Sequence, residues 1–108
     1  MATKVNLIVD QGATFATSIT FNDESGNTIN FSSYSGAAQM RKHFTSSNST
    51  SFAVSLSNTG IITLSLTANQ TGNLVAGRYV YDLEVTDSSN VISRLIEGIV
   101  TVTPNVTR

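Results

Sequence analysis

His43, flanked by Arg41 and Lys42, is the only histidine, and its ordinary pKa suits proton transfer near neutral pH. A general base needs a nucleophile or acid held beside it. No Gly-x-Ser-x-Gly, His-Glu-x-x-His or phosphate-binding glycine loop occurs in the chain. The basic triplet therefore reads as part of a surface strand. Asp82 and Glu84 lie two apart on one strand face, with Asp87 beyond, and offer the nearest thing to a Ca²⁺ site. Such a site needs about six or more oxygens. Pairing of these carboxylates with Arg94 across a hairpin is the simpler reading, stabilising by about 0.2–1 kcal/mol. Tyr79 and Tyr81 share a face at period two and are expected in the core with their hydroxyls hydrogen-bonded, which leaves Tyr34, in a loop, as the aromatic free for contacts. The triplets beginning at Asn30, Asn48, Asn69 and Asn105 match the glycosylation pattern. Because 40 of the 108 residues are Ser, Thr or Asn, chance accounts for these matches. No catalytic residue, metal ligand set or cofactor site is assigned, and the chain reads as a non-enzyme.

The same composition sets the kind of surface that must carry any function. Only 12% of the residues are charged, about half the usual share of roughly 25%, so hydroxyl and amide groups keep the strands wet. A net charge of −1 creates no field to attract a polyanion, and nucleic acid is not an expected partner. The absence of cysteine excludes a disulfide framework and a thiolate metal site. Apolar runs fall far short of the roughly 20 residues of a membrane span, and the first ten residues lack the apolar core of a signal peptide. Synthesis in a cytosol and no membrane partner are the expectations.

The elements follow from periodicity and turn chemistry. Lys4 to Val9 reads as a short strand, ended by Asp10, Gln11 and Gly12. From Ala13 to Phe21 the chain alternates, with Phe15, Thr17, Ile19 and Phe21 on one face. A hairpin turn over Asn22 to Asn27 leads to a partner strand at Thr28 to Phe31. Ala37 to Phe44 reads as a strand with Ala38, Met40, Lys42 and Phe44 on one side, a weaker pattern that also admits a helical turn. A polar connection, Thr45 to Ser51, follows. Phe52 to Leu56 and Ile61 to Leu66 form a hairpin around Ser57 to Gly60, with Phe52, Val54, Leu56, Ile62, Leu64 and Leu66 inward. One helical turn is expected at Thr67 to Asn73, anchored by Leu74. Gly77 releases the chain into a strand over Arg78 to Val85, with Tyr79, Tyr81, Leu83 and Val85 inward. The return strand from Val91 to Val102 changes parity, which calls for a bulge, expected at Glu97–Gly98 because glycine is the usual residue there. Pro104 ends the ladder.

About seven or eight short strands with turn signals every 8–12 residues or so predict one all-β domain over residues 1–108. The expected fold is an Ig-like two-sheet antiparallel β-sandwich, with residues 1–12 as an N-terminal arm or edge strand and 104–108 as a C-terminal tail; a small barrel is the competing fold. The arm and the segment from Ile99 to Val102 carry little of the charge or proline that protects sheet edges, which points to a protein working in an assembly.

Several stretches carry a family likeness. Val9-Asp-Gln-Gly-Ala-Thr-Phe15, Ala38-Gln-Met-Arg-Lys-His-Phe44, Ala76-Gly-Arg-Tyr-Val-Tyr-Asp-Leu-Glu-Val-Thr-Asp87, Ser93-Arg-Leu-Ile-Glu-Gly-Ile-Val-Thr-Val-Thr-Pro104 and the final Val106-Thr-Arg108 resemble small virion structural proteins of contractile-tailed bacteriophages, in particular those infecting cyanobacteria. A more distant likeness, through Gly77, Tyr79, Tyr81 and Asp82, runs to the N-terminal domains of phage baseplate upper proteins. The resemblance implies a non-enzymatic particle component, made in the host cytoplasm and present in the virion in many copies or as a homo-oligomer. It would dock on a tail, baseplate or capsid partner. Expected assembly contacts are Lys4 and Asn6 in the arm, Arg41, Lys42, His43 and Phe44, the loop residue Tyr34, and Val106 and Arg108 in the tail. Two alternatives are a capsid decoration protein, and a carbohydrate-binding or host-surface module using Tyr34 and the loop from Thr45 to Ser51.

Overall fold

The structure, a computed structural model, describes residues 3–22, 25–27 and 29–106. Arg108 of the expected contacts, Thr28 of the expected partner strand, and Asp23 and Glu24 of the expected turn lie outside the described residues. The described residues are all-β apart from one helical turn. Its elements are β1 (Thr3–Lys4), β2 (Leu7–Asp10), β3 (Phe15–Thr20), β4 (Ser35–Arg41), β5 (Thr50–Leu56), β6 (Ile61–Leu66), α1 (Ala68–Gly72), β7 (Gly77–Thr86) and β8 (Ile92–Thr103).

Hydrogen bonding runs without a break in the order β1-β8-β7-β4-β5-β6-β3, and β2 also pairs with β8. The N-terminal strands β1 and β2 lie parallel to β8, while the other pairings are antiparallel. The joint of the sheet is β5: Thr50, Ser51 and Phe52 pair with β4, and Ala53 through Leu56 pair with β6. Because this one strand changes partner midway, the sheet curls around its inner face as a half-barrel. The all-β class expected from the sequence holds, in the form of one continuous, curled, mixed sheet.

The inner face holds the core. Ile62, Leu64, Leu83, Ile96, Val9 and Val100 are fully buried, supplied by alternate positions of four different strands. Phe52 sits centrally, its ring 6.3 Å from Phe15 and 5.9 Å from Tyr81. The inward sets expected on β5, β6 and β7 take the core side, with Val54, Leu56 and Tyr79 only half-buried. α1 is the expected turn: the Thr67 hydroxyl accepts from the Gln70 N–H, and the Gln70 side chain accepts from the Thr67 N–H.

Local chemistry explains where the strands depart from the expected boundaries. Residues 29–31 are not a strand. The Asn30 side chain accepts from the Ser32 N–H and the Phe31 carbonyl from the Tyr34 N–H, so the backbone turns and drives Phe31 into the core, edge-on to Phe21 and Tyr34. β4 stops at Arg41 instead of continuing to Phe44. Beyond it the His43 N–H donates to the Ser46 hydroxyl and the Ser46 N–H to the His43 carbonyl, closing a turn that turns Phe44 outward.

The bulge in β8 lies at Leu95, between Arg94, opposite Glu84, and Ile96, opposite Leu83. Glu97 and Gly98 stay in register with Asp82 and Tyr81. Gly98 is needed for a different reason, a close approach: a Cβ there would meet the backbone carbonyl of Val5, where the arm crosses. Finally, Ile99 to Val102 is not an edge, because β8 lies between β7 and the arm.

Candidate interaction surface

Residues in register across neighbouring strands project to the same side of a sheet. Between the buried Met40 and Tyr81, which pair with one another, the adjacent positions of β4, β7 and β8 therefore face solvent. Two lateral rows result. One runs Arg41, Val80, Ile99 and ends on Asn6, whose side-chain oxygen accepts from the Ile99 N–H at 3.1 Å. The other runs Gln39, Asp82, Glu97, Lys4. The expected contacts Lys4, Asn6 and Arg41, 37 positions apart from first to last, are thereby brought onto a single outer face.

That face is anchored by the arm. The Val5 N–H donates to the Glu97 carbonyl at 3.0 Å, and the Tyr81 hydroxyl donates to the Val5 carbonyl. Burial pushes the Tyr81 hydroxyl up from 10.0 to about 12, so it stays a donor through the neutral range. Arg94 lies 3.4 Å from Asp82, which bears out the expected cross-strand pair for that carboxylate, and its second partner at 3.7 Å is Glu97 of its own strand rather than Glu84; the pair is exposed and stabilises by about 0–1 kcal/mol. Asp87 instead uses its carboxylate to accept from the Ser89 and Val91 N–H groups, holding the β7–β8 turn. Among the described residues no group of three or more His, Cys, Asp or Glu side chains is placed to hold a metal ion.

Around this face the other expected contacts divide. Arg41 is committed internally, donating to the Ser46 carbonyl at 2.7 Å and to the Gln39 side chain at 3.0 Å, so its guanidinium fixes the following loop. Lys42 lies 5.0 Å from the centre of the Tyr79 ring, a cation–π contact. His43 is exposed. Phe44 is 85% exposed at the tip of the turn and borders a trough of about 280 Å³ with Gln39, Arg41, Val80, Asp82 and Glu97. The tail is held where the Asn105 N–H donates to the Gln11 side chain, which in turn donates to the Leu74 carbonyl at 2.7 Å. Val106 beyond it is 90% exposed.

Tyr34 does not join the others. It is half-buried against Phe31 at the Ser35 end of β4, whereas the loop from Thr45 to Ser51 follows the Arg41 end. The expected pairing of Tyr34 with that loop is corrected accordingly. The aromatic beside the loop is Tyr79, in a groove of about 500 Å³ with Lys42, Ser47, Asn48, Asn73 and Val75, and Lys42 covers its ring. Val80 alternates with Tyr79 and Tyr81 and faces out as that spacing assigns, but sequence reasoning missed Ile8 and Ile99, the other apolar members of the outer face. The signal for Ile99 was its opposite parity from Val100 and Val102.

No protein-family model matches the sequence, and no curated protein does. Among solved structures, the chain is similar to part of a family 123 glycoside hydrolase from Clostridium perfringens, studied for glycolipid glycan hydrolysis. The likeness has 14% identity and a TM-score of 0.44, and covers 97% of this chain and 24% of the hydrolase chain. The chain thus spans about a quarter of that structure's length.

Proposed function

We propose that this chain is a non-enzymatic structural component of a tailed-phage virion, an Ig-like domain that docks in many copies on a tail, baseplate or capsid partner. The observation that carries this reading is the solvent face of β4, β7 and β8, where residues of the arm and of the Arg41 row meet beside exposed Phe44. The motif resemblance supplies the setting. Strand order supports the Ig-like description: β3, β6 and the second half of β5 lie together, and β4, β7, β8 and the parallel arm lie together, with Phe15, Phe52 and Tyr81 in contact between them. Mixed charge with an apolar centre makes each contact weak, and repetition on a symmetric scaffold converts weak contacts into stable attachment. A capsid decoration role has the same mechanism and differs only in the partner.

Variants that change the face without touching the core test the proposal. Phe44→Ser and Ile99→Lys alter exposed side chains, so both are expected to keep the wild-type melting profile while reducing incorporation into particles assembled in infected cells. Wild-type incorporation of the double variant would refute the assignment of this face.

A further inference from the structure

The other end of the sheet has a property that the docking face does not explain. β3 is the terminal strand beyond β6. The Phe21 N–H donates to the Gly60 carbonyl at 2.8 Å, and the register continues Ile19 opposite Ile62 and Thr17 opposite Leu64. By the period of an antiparallel ladder, Phe15, Thr17 and Ile19 turn their backbone groups to β6, and Ala16, Ser18 and Thr20 turn theirs outward. Among the described residues, no backbone group bonds to that outward row.

The inner face tells the same story. Ile62, Leu64 and Leu66 of β6 are essentially fully buried, but Phe15, Thr17, Ile19 and Phe21, in the same layer, are each only half-buried. The half-barrel has an open lip here, with apolar side chains partly in water. Natural monomers protect such an edge with Lys, Pro, charge or a bulge. β3 has none of these: Phe15–Thr20 is Phe-Ala-Thr-Ser-Ile-Thr, in unbroken register with β6. The opposite edge, by contrast, carries Lys4 at one end and Asp10 at the other, with the Asp10 carboxylate accepting from Thr103 and its carbonyl from the Ala13 N–H.

We infer that β3 is a homodimer edge, pairing antiparallel with β3 of a second copy across a two-fold axis at Ser18 and so continuing the sheet from one chain into the next. A second copy fits because the strand is complementary to itself. With Ser18 opposite Ser18 of the second copy, Ala16 meets Thr20 and Thr20 meets Ala16, which gives about six backbone hydrogen bonds. On the inner side Thr17 meets Ile19, and Phe15 meets Phe21, covering the half-buried side chains at the lip. The absence of charge within the strand means that the two-fold axis brings no like charges together. The interface is isologous and closes at two copies. It lies away from the docking face, so the inference does not depend on the virion reading.

Light scattering coupled to size-exclusion chromatography, over a dilution series of the purified chain, tests it. The expected mass at high concentration is twice the 11.5 kDa of one chain. Ser18→Pro removes an outward N–H without touching the ladder to β6, and Ser18→Lys sets two like charges opposite one another. Each is expected to raise the dimer dissociation constant at least about tenfold, with an unchanged circular dichroism spectrum, whereas Ile8→Lys on the opposite edge leaves the dimer intact. A monomer throughout the series, a trimer or larger ring, or a dimer that Ser18→Lys leaves unaltered would overturn the inference.

Discussion

Replacing Gly98 with alanine is a direct probe of how the arm is held, because the position has no conformational reason to be glycine. Its φ lies outside the left-handed region, so any effect is steric. The added Cβ would collide with the carbonyl group of Val5 and lie 3.1 Å from the Asn6 side-chain oxygen. The first of these is backbone, and no rotamer change relieves it. The arm must lift, and three hydrogen bonds go with it: Val5 N–H to the Glu97 carbonyl at 3.0 Å, Ile99 N–H to the Asn6 side chain at 3.1 Å, and the Tyr81 hydroxyl to the Val5 carbonyl. At about 1 kcal/mol each, Gly98→Ala is expected to destabilise the fold by about 3 kcal/mol. The loss stays near that figure while Leu7 and Val9, paired with Val100 and Val102, keep β2 in place. Urea unfolding gives the free energy, and hydrogen exchange localises it, with faster exchange at the Ile99 amide than at Val100. A loss below about 0.5 kcal/mol, the range of ordinary surface changes, would refute the close-approach argument.

Other consequences are equally specific. The folded state holds the Tyr81 proton that the unfolded chain releases at its ordinary pKa, so this group's contribution is intact below pH 10.0 and is lost as pH rises toward about 12. The loss amounts to about 3 kcal/mol, read as a fall in unfolding free energy across that window that Tyr81→Phe does not show. Thr67→Ala breaks the capping box and is expected to cost about 1 kcal/mol in a thermal melt. Leu64→Ala empties a fully buried site in β6, with an expected loss of about 2–5 kcal/mol by denaturant titration. Deleting the arm through Asp10 removes buried Leu7 and Val9 and is expected to abolish the cooperative transition seen by circular dichroism.

Much of the fold was legible because period two is a strong signal wherever one face is buried. Phe52, Ile62, Leu64, Leu66, Tyr81, Leu83 and Val85 all took the inward side that their spacing assigned. Where side chains compete for backbone groups, the pattern misled. Asn30 turned an expected strand into a loop that buries Phe31, and Ser46 ended β4 before Phe44. The parity change in β8 announced a bulge but not its position, because Gly98 was required by a long-range neighbour, Val5, that local sequence cannot show. For the same reason the outer face was legible only in pieces. Lys4 and Asn6 reach Arg41 through a parallel pairing with β8, and parallel partners leave no turn signal in the sequence between them. The free edge at β3 depended on strand order, which periodicity does not contain.

The central claim is that this chain works as a repeated part of a virion. Quantitative mass spectrometry of gradient-purified phage particles, from a phage whose genome encodes the chain, tests it most directly. The expected result is the intact chain retained through purification at many copies per particle, in fixed ratio to a tail, baseplate or capsid protein. Its absence from particles while abundant in the surrounding lysate would contradict the account.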